Sequence, residues 1–162
     1  MRIGQIRPLD VANGEGIRVS IFVTGCSHNC PGCFNEEYQD GEFGDLWTDE
    51  HLEEVITYLK RPEVDGLTLL GGEPMENLKL TSILKEIKKE VKKTIWIYSG
   101  YTYEQIMDDP KKKALLDECD VLVDGPFVEA LLNFKLAFRG SSNQRIIDIK
   151  ASKPDQIVLY ME

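Results

Sequence analysis

The sequence has few cysteines and no long apolar run, and both shortages limit the class of protein it can encode. Only four of the 162 residues are cysteine, and three of them, Cys26, Cys30 and Cys33, lie close together while Cys119 stands alone. That spacing is not typical of a disulfide-stabilised secreted framework. No segment approaches the ~20 largely apolar residues of a membrane-spanning helix, and the first residues lack the apolar core of a signal peptide. We therefore expect a cytoplasmic protein with no membrane partner.

An excess of positive charge is also missing. The chain carries 28 acidic against 19 basic residues, a formal net charge of −9. Such a surface repels phosphate backbones on average, so we expect no nucleic-acid partner. Internal repeats and Ser/Gly-rich linkers are absent too, and the length suits one compact domain over residues 1–162.

Apolar patterning predicts strands that alternate with helices. Predicted strands cover residues 1–6 (a short edge strand), 17–24, 66–70, 94–98, 121–123, 146–149 and 157–160. Predicted helices cover residues 49–60, a stretch from Leu80 to Val91, and a turn around 114–116. This order is typical of a parallel α/β sheet whose functional loops follow the carboxyl ends of the strands. Because a closed eightfold barrel usually needs ~250 residues, we expect an open or partial barrel.

Three thiols occupy a C-x3-C-x2-C loop directly after the strand at 17–24. Thiolates at Cys26, Cys30 and Cys33 can hold three irons of a 4Fe-4S cluster and leave the fourth iron open to a ligand. Structural zinc is an alternative, with His28, His51 or Cys119 as the fourth ligand. A redox-active Cys30–Cys33 dithiol is another. The spacing alone leaves all three possibilities open.

The strand at 66–70 ends in the sequence Gly71-Gly72-Glu73-Pro74. The two glycines allow close approach of the backbone to a ligand, and Glu73 brings a carboxylate suited to an ammonium group. The alternative is a purely structural strand-to-helix turn, in which Pro74 begins the helix and Glu73 favours its positive end.

The cysteine loop and the Gly-Gly-Glu-Pro turn, on successive strand ends, together resemble the radical S-adenosylmethionine superfamily. Within it, the chain is similar to the activating proteins of anaerobic ribonucleotide reductase, which are short glycyl-radical activators. The segments that carry this narrower resemblance are residues 13–18, 30–35, 98–101, 121–127 and 139–145.

The resemblance implies an α/β partial barrel of the radical SAM type, one 4Fe-4S cluster per chain held by Cys26, Cys30 and Cys33, and S-adenosylmethionine as cofactor. It implies that one electron cleaves the sulfonium C–S bond and that the 5′-deoxyadenosyl radical takes hydrogen from a glycine of the reductase large subunit. The electron would come from a flavodoxin-like or other one-electron donor. The cofactor contacts that it implies are Gly32, Cys33, Phe34, Gly71, Gly72 and Glu73.

Two further residues follow predicted strands at the same edge. Ser99 and Asp124 each have a position suited to contact with the cofactor, and each also suits a loop-stabilising role. Cys119 is predicted to pack as a small buried residue.

Three other functions compete with the activator interpretation. They are activation of a different glycyl-radical enzyme, modification of a free metabolite, and a zinc-stabilised binding module without catalysis.

Overall fold

A computed structural model describes residues 1–161 and shows one mixed sheet of eight strands. The strands are β1 (Arg2–Asp10), β2 (Arg18–Val23), β3 (Asp45–Leu46), β4 (Gly66–Gly71), β5 (Thr94–Tyr98), β6 (Val121–Asp124), β7 (Arg145–Asp148) and β8 (Leu159–Met161). Their order across the sheet is β3-β1-β2-β4-β5-β6-β7-β8. The predicted α/β class is therefore confirmed.

Four α-helices connect or follow the central strands. They are α1 (Asp49–Leu59), α2 (Leu80–Glu90), α3 (Tyr103–Met107) and α4 (Pro110–Leu116). Short 3-10 turns cover Glu36–Gln39, Pro74–Glu76 and Glu129–Leu131. Across residues 1–161, no helix combines the length and apolar character needed to cross a bilayer.

Only the centre of the sheet is parallel. Strands β2, β4, β5 and β6 run in one direction, whereas β1, β3, β7 and β8 are antiparallel to their neighbours. The prediction of a parallel sheet is wrong for these outer strands. For β1 and β2 the reason is that residues 11–17 form too short a connection for a parallel crossover.

The first strand also differs from its prediction. It extends to Asp10 instead of ending near residue 6, and it lies second from the edge because β3 pairs with its outer side through Arg2 and Leu46. The two-residue β3 has too short a pattern to be recognised in the sequence.

Alternation along β2 separates the two faces of the sheet. Val19, Ile21 and Val23 join the large core that α1 and α2 cover, while Ser20 and Phe22 face the other way. Phe22, Leu70 and Tyr98 form a separate apolar cluster on that second face and line a cavity. The helices thus cover one face, and the other is left to shape a binding site.

Candidate functional site

A cavity of about 600 Å³ lies at the carboxyl ends of the central strands. It brings together most of the predicted site residues, namely Cys26, Cys30, Cys33, Phe34, Gly71, Gly72, Glu73 and Ser99. The last residue of β4 and the loops that follow β2, β4 and β5 contribute these residues, as expected for the ligand-binding edge of a parallel sheet.

Backbone hydrogen bonds position the cysteine loop. Gly25 N donates to Tyr38 O over 2.8 Å, and Cys26 N donates to Gln39 O over 3.1 Å. Further along, Cys33 N donates to Cys30 O over 3.2 Å. All four cysteines of the chain are free thiols, and the three on the loop are partly exposed.

Two thiols of the loop, those of Cys26 and Cys30, are hard to ionise without a metal. Burial raises the pKa of Cys26 to about 11, and the charges of Glu73 and Glu76 add to this effect. Burial likewise raises the pKa of Cys30. A bound cation reverses this preference because it stabilises the thiolate. The loop is therefore better suited to holding a metal centre than to presenting a free reactive thiolate.

The donor set fits an iron-sulfur cluster. Three soft sulfur ligands line one cavity and share it with Glu73, which leaves space for a ligand beside them. Within residues 1–161, no three His, Cys, Asp or Glu side chains are grouped so that they could hold a single metal ion. Ligands of different irons in one cluster do not have to meet at a single ion.

The candidate fourth ligands for zinc lie in different places. His51 accepts a 3.0 Å hydrogen bond from Thr48 N at the start of α1, and Cys119 is buried in the core on the helix side of the sheet. Of the three candidates, only His28 lines the cavity. The prediction that Cys119 packs as a small buried residue is confirmed.

Both glycines of the Gly-Gly-Glu turn are required because the backbone of neighbouring segments approaches them closely. A Cβ on Gly72 would lie 2.5 Å from Gly25 O and 2.6 Å from Tyr38 O. Gly71 has a φ of +108°, and a Cβ there would lie 2.5 Å from Val23 O. The backbone close to Gly72 belongs to Gly25, at the start of the cysteine loop, and to Tyr38, whereas the backbone close to Gly71 belongs to β2. The two glycines therefore let the turn pack closely against both segments.

Glu73 is almost completely buried, at 1% exposure, and its carboxylate accepts four hydrogen bonds. Oε1 accepts from His28 Nε2 over 2.6 Å and from Gly100 N over 2.7 Å. Oε2 accepts from Ser99 Oγ over 2.8 Å and from Met75 N over 2.9 Å. The bond from Met75 also caps the Pro74–Glu76 turn, so the structural role considered for this motif is present.

Two predicted cofactor contacts do not line the cavity. Asp124 is buried and accepts hydrogen bonds from Arg145 Nη2 over 2.5 Å and from Tyr103 N over 2.8 Å. Gly32 is exposed in a turn with a φ of +72°. Their contact with a cofactor stays a prediction.

A second carboxylate in the same turn was missed by the sequence reasoning. Glu76 accepts hydrogen bonds from Ser27 N over 3.0 Å, from Ser27 Oγ, and from Tyr101 OH over 2.7 Å. Burial raises the pKa of Glu76, but the bonds from Ser27 and Tyr101 outweigh this and leave that pKa below its ordinary value. The available signal was the three-residue spacing of Glu73 and Glu76 at the start of a helical turn, which places both on one side.

Aromatic rings surround the mouth of the cavity. Phe34 is 61% exposed, and its ring lies 5.0 Å from that of Phe127 and 6.4 Å from that of Phe134, centre to centre. Phe134 is 84% exposed. We call Phe34, Phe127 and Phe134 the aromatic rim. An exposed apolar cluster beside a cavity is typical of a surface that another molecule covers.

Comparison with known proteins gives one consistent family. Residues 12–147 match the model of the family described as "4Fe-4S single cluster domain". An anaerobic ribonucleoside-triphosphate reductase-activating protein of Vibrio cholerae is 39% identical, with 90% of this chain and 97% of the relative covered. The protein of that name from Haemophilus influenzae is 38% identical, with 88% of this chain and 94% of the relative covered. The one from Enterobacteria phage T4 is 36% identical, with 90% of this chain and 93% of the relative covered. The chain therefore belongs to the family of anaerobic ribonucleoside-triphosphate reductase-activating proteins, with a 4Fe-4S single cluster domain.

Proposed function

We propose that this chain is an enzyme that activates anaerobic ribonucleoside-triphosphate reductase by reductive cleavage of S-adenosylmethionine at a 4Fe-4S cluster. The observation that carries the proposal is the shared cavity: three cysteines, the Gly-Gly-Glu turn and an aromatic rim all border one space of about 600 Å³. The family supports the same partner, because the relatives are named for their action on that reductase.

Cys26, Cys30 and Cys33 are proposed to hold three irons of the cluster and to leave the fourth for the cofactor. The chemistry that a bound, reduced cluster would supply is one electron for the cleavage of S-adenosylmethionine into methionine and a 5′-deoxyadenosyl radical. That radical would take a hydrogen atom from a reductase glycine and leave as 5′-deoxyadenosine. A flavodoxin-like or other one-electron donor is proposed to supply that electron.

The residues around the cysteines are proposed to bind and orient the cofactor. Glu73 is a buried carboxylate in the turn that follows β4, and it suits the ammonium group of the methionine end. Gly71, Gly72 and Ser99 line the same wall, and Phe34 supplies an apolar surface for the adenosine end. Gly32, Cys33 and Asp124 complete the proposed set of cofactor contacts.

The apolar wall is proposed to keep water from the reacting centre. The wall consists of three side chains on the sheet face that borders the cavity, those of Phe22, Leu70 and Tyr98. A carbon-centred radical attacks most C–H bonds, so the mouth has to be closed during the reaction. The aromatic rim is proposed to receive the reductase surface that closes it.

We also propose that residues 1–162 act as one domain with the open, partial-barrel form of the radical SAM enzymes. The support is that all eight strands belong to one sheet, with β3 and β8 at its two edges. The functional loops then follow β2, β4, β5 and β6 on one side of that sheet.

Anaerobic purification of variants tests the proposed cluster. We expect the wild-type protein to be brown, to contain iron and sulfide, and to cleave S-adenosylmethionine when reduced. Cys26→Ala, Cys30→Ala and Cys33→Ala should each lose all three properties, whereas Cys119→Ala, whose thiol is buried in the distant core, should keep them. A colourless wild-type protein with stoichiometric zinc would instead identify a zinc-stabilised module.

A further inference from the structure

The acceptor positions of Glu73 are all in use. A carboxylate has about four lone-pair sites, and here His28, Gly100, Ser99 and Met75 each donate one hydrogen bond, at 2.6 to 2.9 Å. The side chain is 1% exposed, so water does not compete for these positions. An incoming ammonium group can bind this carboxylate only if one of the four donors leaves.

Three of the four donors are fixed by the fold. Met75 N belongs to the turn that Glu73 itself caps, and Ser99 and Gly100 follow directly after β5, where Ser99 N donates to Val123 O over 3.0 Å. Met75 N and Gly100 N are backbone groups, and the Ser99 hydroxyl also accepts a 3.0 Å hydrogen bond from Tyr101 N, which holds it beside Glu73. They are poor candidates for exchange.

His28 is the one donor that lies on the cysteine loop. Its side chain is 17% exposed, and its imidazole is hydrogen-bonded to the site through the contact between His28 Nε2 and Glu73 Oε1. The imidazole fits against Gly100, where an added Cβ would lie 2.6 Å from His28 Cδ2, and its ring meets that of Tyr101 edge-on at 4.5 Å. These are packing contacts, which a ring can give up without leaving a buried polar group unpaired.

We propose that His28 occupies the position on Glu73 that the cofactor ammonium takes, and that it is displaced when S-adenosylmethionine binds. This inference rests on the proposed function. The exchange conserves hydrogen bonds, because an ammonium N–H replaces an imidazole N–H on Glu73 Oε1. His28 lies between Cys26 and Cys30, so its displacement would couple cofactor binding to the conformation of the cysteine loop. His28 is therefore a positioning residue and a competitor of the cofactor, not a catalytic residue.

The chain offers a direct observation of this exchange, since His28 and His51 are its only histidines. With ¹⁵N-histidine labelling of the cluster-loaded, oxidised protein, the Nε2–H of His28 should be protected from solvent exchange before S-adenosylmethionine is added and should lose that protection afterwards. His51, at the start of α1, is the internal control and should not change. A cofactor analogue with hydrogen in place of the amino group should bind without releasing His28.

Binding measurements give a second test. His28→Ala removes the competitor, so S-adenosylmethionine should bind about tenfold more tightly than to the wild-type protein. The analogue without the amino group should bind both proteins equally. His28→Gln keeps an N–H donor and should restore an affinity close to that of the wild-type protein.

The outcomes separate the inference from the proposed function. If S-adenosylmethionine binds while the Nε2–H of His28 stays protected, the exchange is wrong and the proposed function stands. If the cluster-loaded wild-type protein binds no S-adenosylmethionine, the proposed function and the inference both fail. If the His28→Ala variant loses its cluster, the solvent-exchange measurement on the labelled wild-type protein is the test of the inference.

Discussion

Ser99 Oγ donates a 2.8 Å hydrogen bond to Glu73 Oε2, and this bond joins the end of β5 to the turn that follows β4. Both side chains are buried, at 6% and 1% exposure. The two strands are parallel neighbours, so their carboxyl ends meet although the residues are far apart in sequence. The orientation of the carboxylate is therefore fixed before any ligand enters the cavity, which is the arrangement that makes binding geometrically selective.

Glu73→Gln should weaken cofactor binding and also destabilise the turn. Loss of a charged acceptor for an ammonium group should lower the affinity for S-adenosylmethionine roughly tenfold to a hundredfold. The new amide also turns an NH₂ group toward protein donors, which should reduce the free energy of unfolding by about 1 to 3 kcal/mol. Titration and chemical denaturation measure the two effects, with the exposed Glu63→Gln as control. An unchanged affinity would leave Glu73 with its capping role alone.

Gly72→Ala should disturb the cysteine loop by steric contact. Its Cβ would lie 2.5 Å from Gly25 O, which is a backbone atom and cannot turn away as a flexible side chain can. We expect a loss of about 1 to 3 kcal/mol in stability and a lower iron content after reconstitution.

Gly41→Ala is the matched control for that change. Its Cβ would lie 3.7 Å from the Cα of the same Gly25, an ordinary van der Waals separation. Equal iron content in the two variants would show that close packing at Gly72 is not needed for the cluster site.

Phe134→Ser should affect the partner and not the cofactor. The side chain is 84% exposed in the aromatic rim, so its removal should leave stability within about 0.5 kcal/mol of the wild-type value. Exposed aromatic residues at interfaces contribute strongly to binding, so the affinity for the reductase should fall at least tenfold. Cleavage of S-adenosylmethionine without reductase should not change. Leu46→Thr, at the opposite edge strand β3, is the control, and an equal effect of both variants would contradict the assignment.

Acid should weaken the pair formed by Glu104 and Arg145. Hydrogen bonds from Arg145 Nη1 and Nη2, at 3.1 and 2.9 Å, lower the pKa of Glu104. A carboxyl whose pKa is lower in the folded than in the unfolded chain stabilises the fold above its unfolded pKa of about 4.3. That stabilisation is lost as the pH falls through the lower folded pKa.

Thermal unfolding of the metal-free chain between pH 7 and 3 measures this contribution. The wild-type protein should lose more stability over this range than the Glu104→Gln variant, which lacks a carboxyl group at position 104 that acid could protonate. Glu42→Gln, on an exposed loop, should follow the wild-type curve. Parallel curves for all three proteins would mean that the pair adds nothing to stability.

Strong apolar patterns made much of the fold predictable. The strand at 94–98 and the helix beginning at Asp49 agree with their predictions because both have clear boundaries, such as Thr48 before the helix. The outer strands were harder, since strand direction depends on how a connection crosses the sheet. The pairing of β3 with β1 rests on two residues, too few to form a pattern.

The candidate site shows the same division. The three clustered cysteines and Glu73 could be predicted as site residues because they belong to recognisable sequence motifs, and the structure brings them to one cavity. The bonds of Glu73 with His28 and Ser99 could not be predicted, since they join residues from three loops that only the sheet brings together. Asp124 is a third case: its place at the end of β6 suggested either a cofactor contact or a loop-stabilising role, and its carboxylate accepts a hydrogen bond from Arg145 of the adjacent strand β7, while the cofactor contact stays a prediction.

The central claim is tested most directly by electron paramagnetic resonance on an anaerobic mixture of the reduced chain, S-adenosylmethionine and anaerobic ribonucleoside-triphosphate reductase. We expect the doublet of a glycyl radical on the reductase, together with one 5′-deoxyadenosine for each radical formed. The doublet should be missing when S-adenosylmethionine is left out or when Cys33→Ala replaces the wild-type chain. Absence of the doublet from the complete mixture, while a free small molecule is turned over rapidly, would contradict the account.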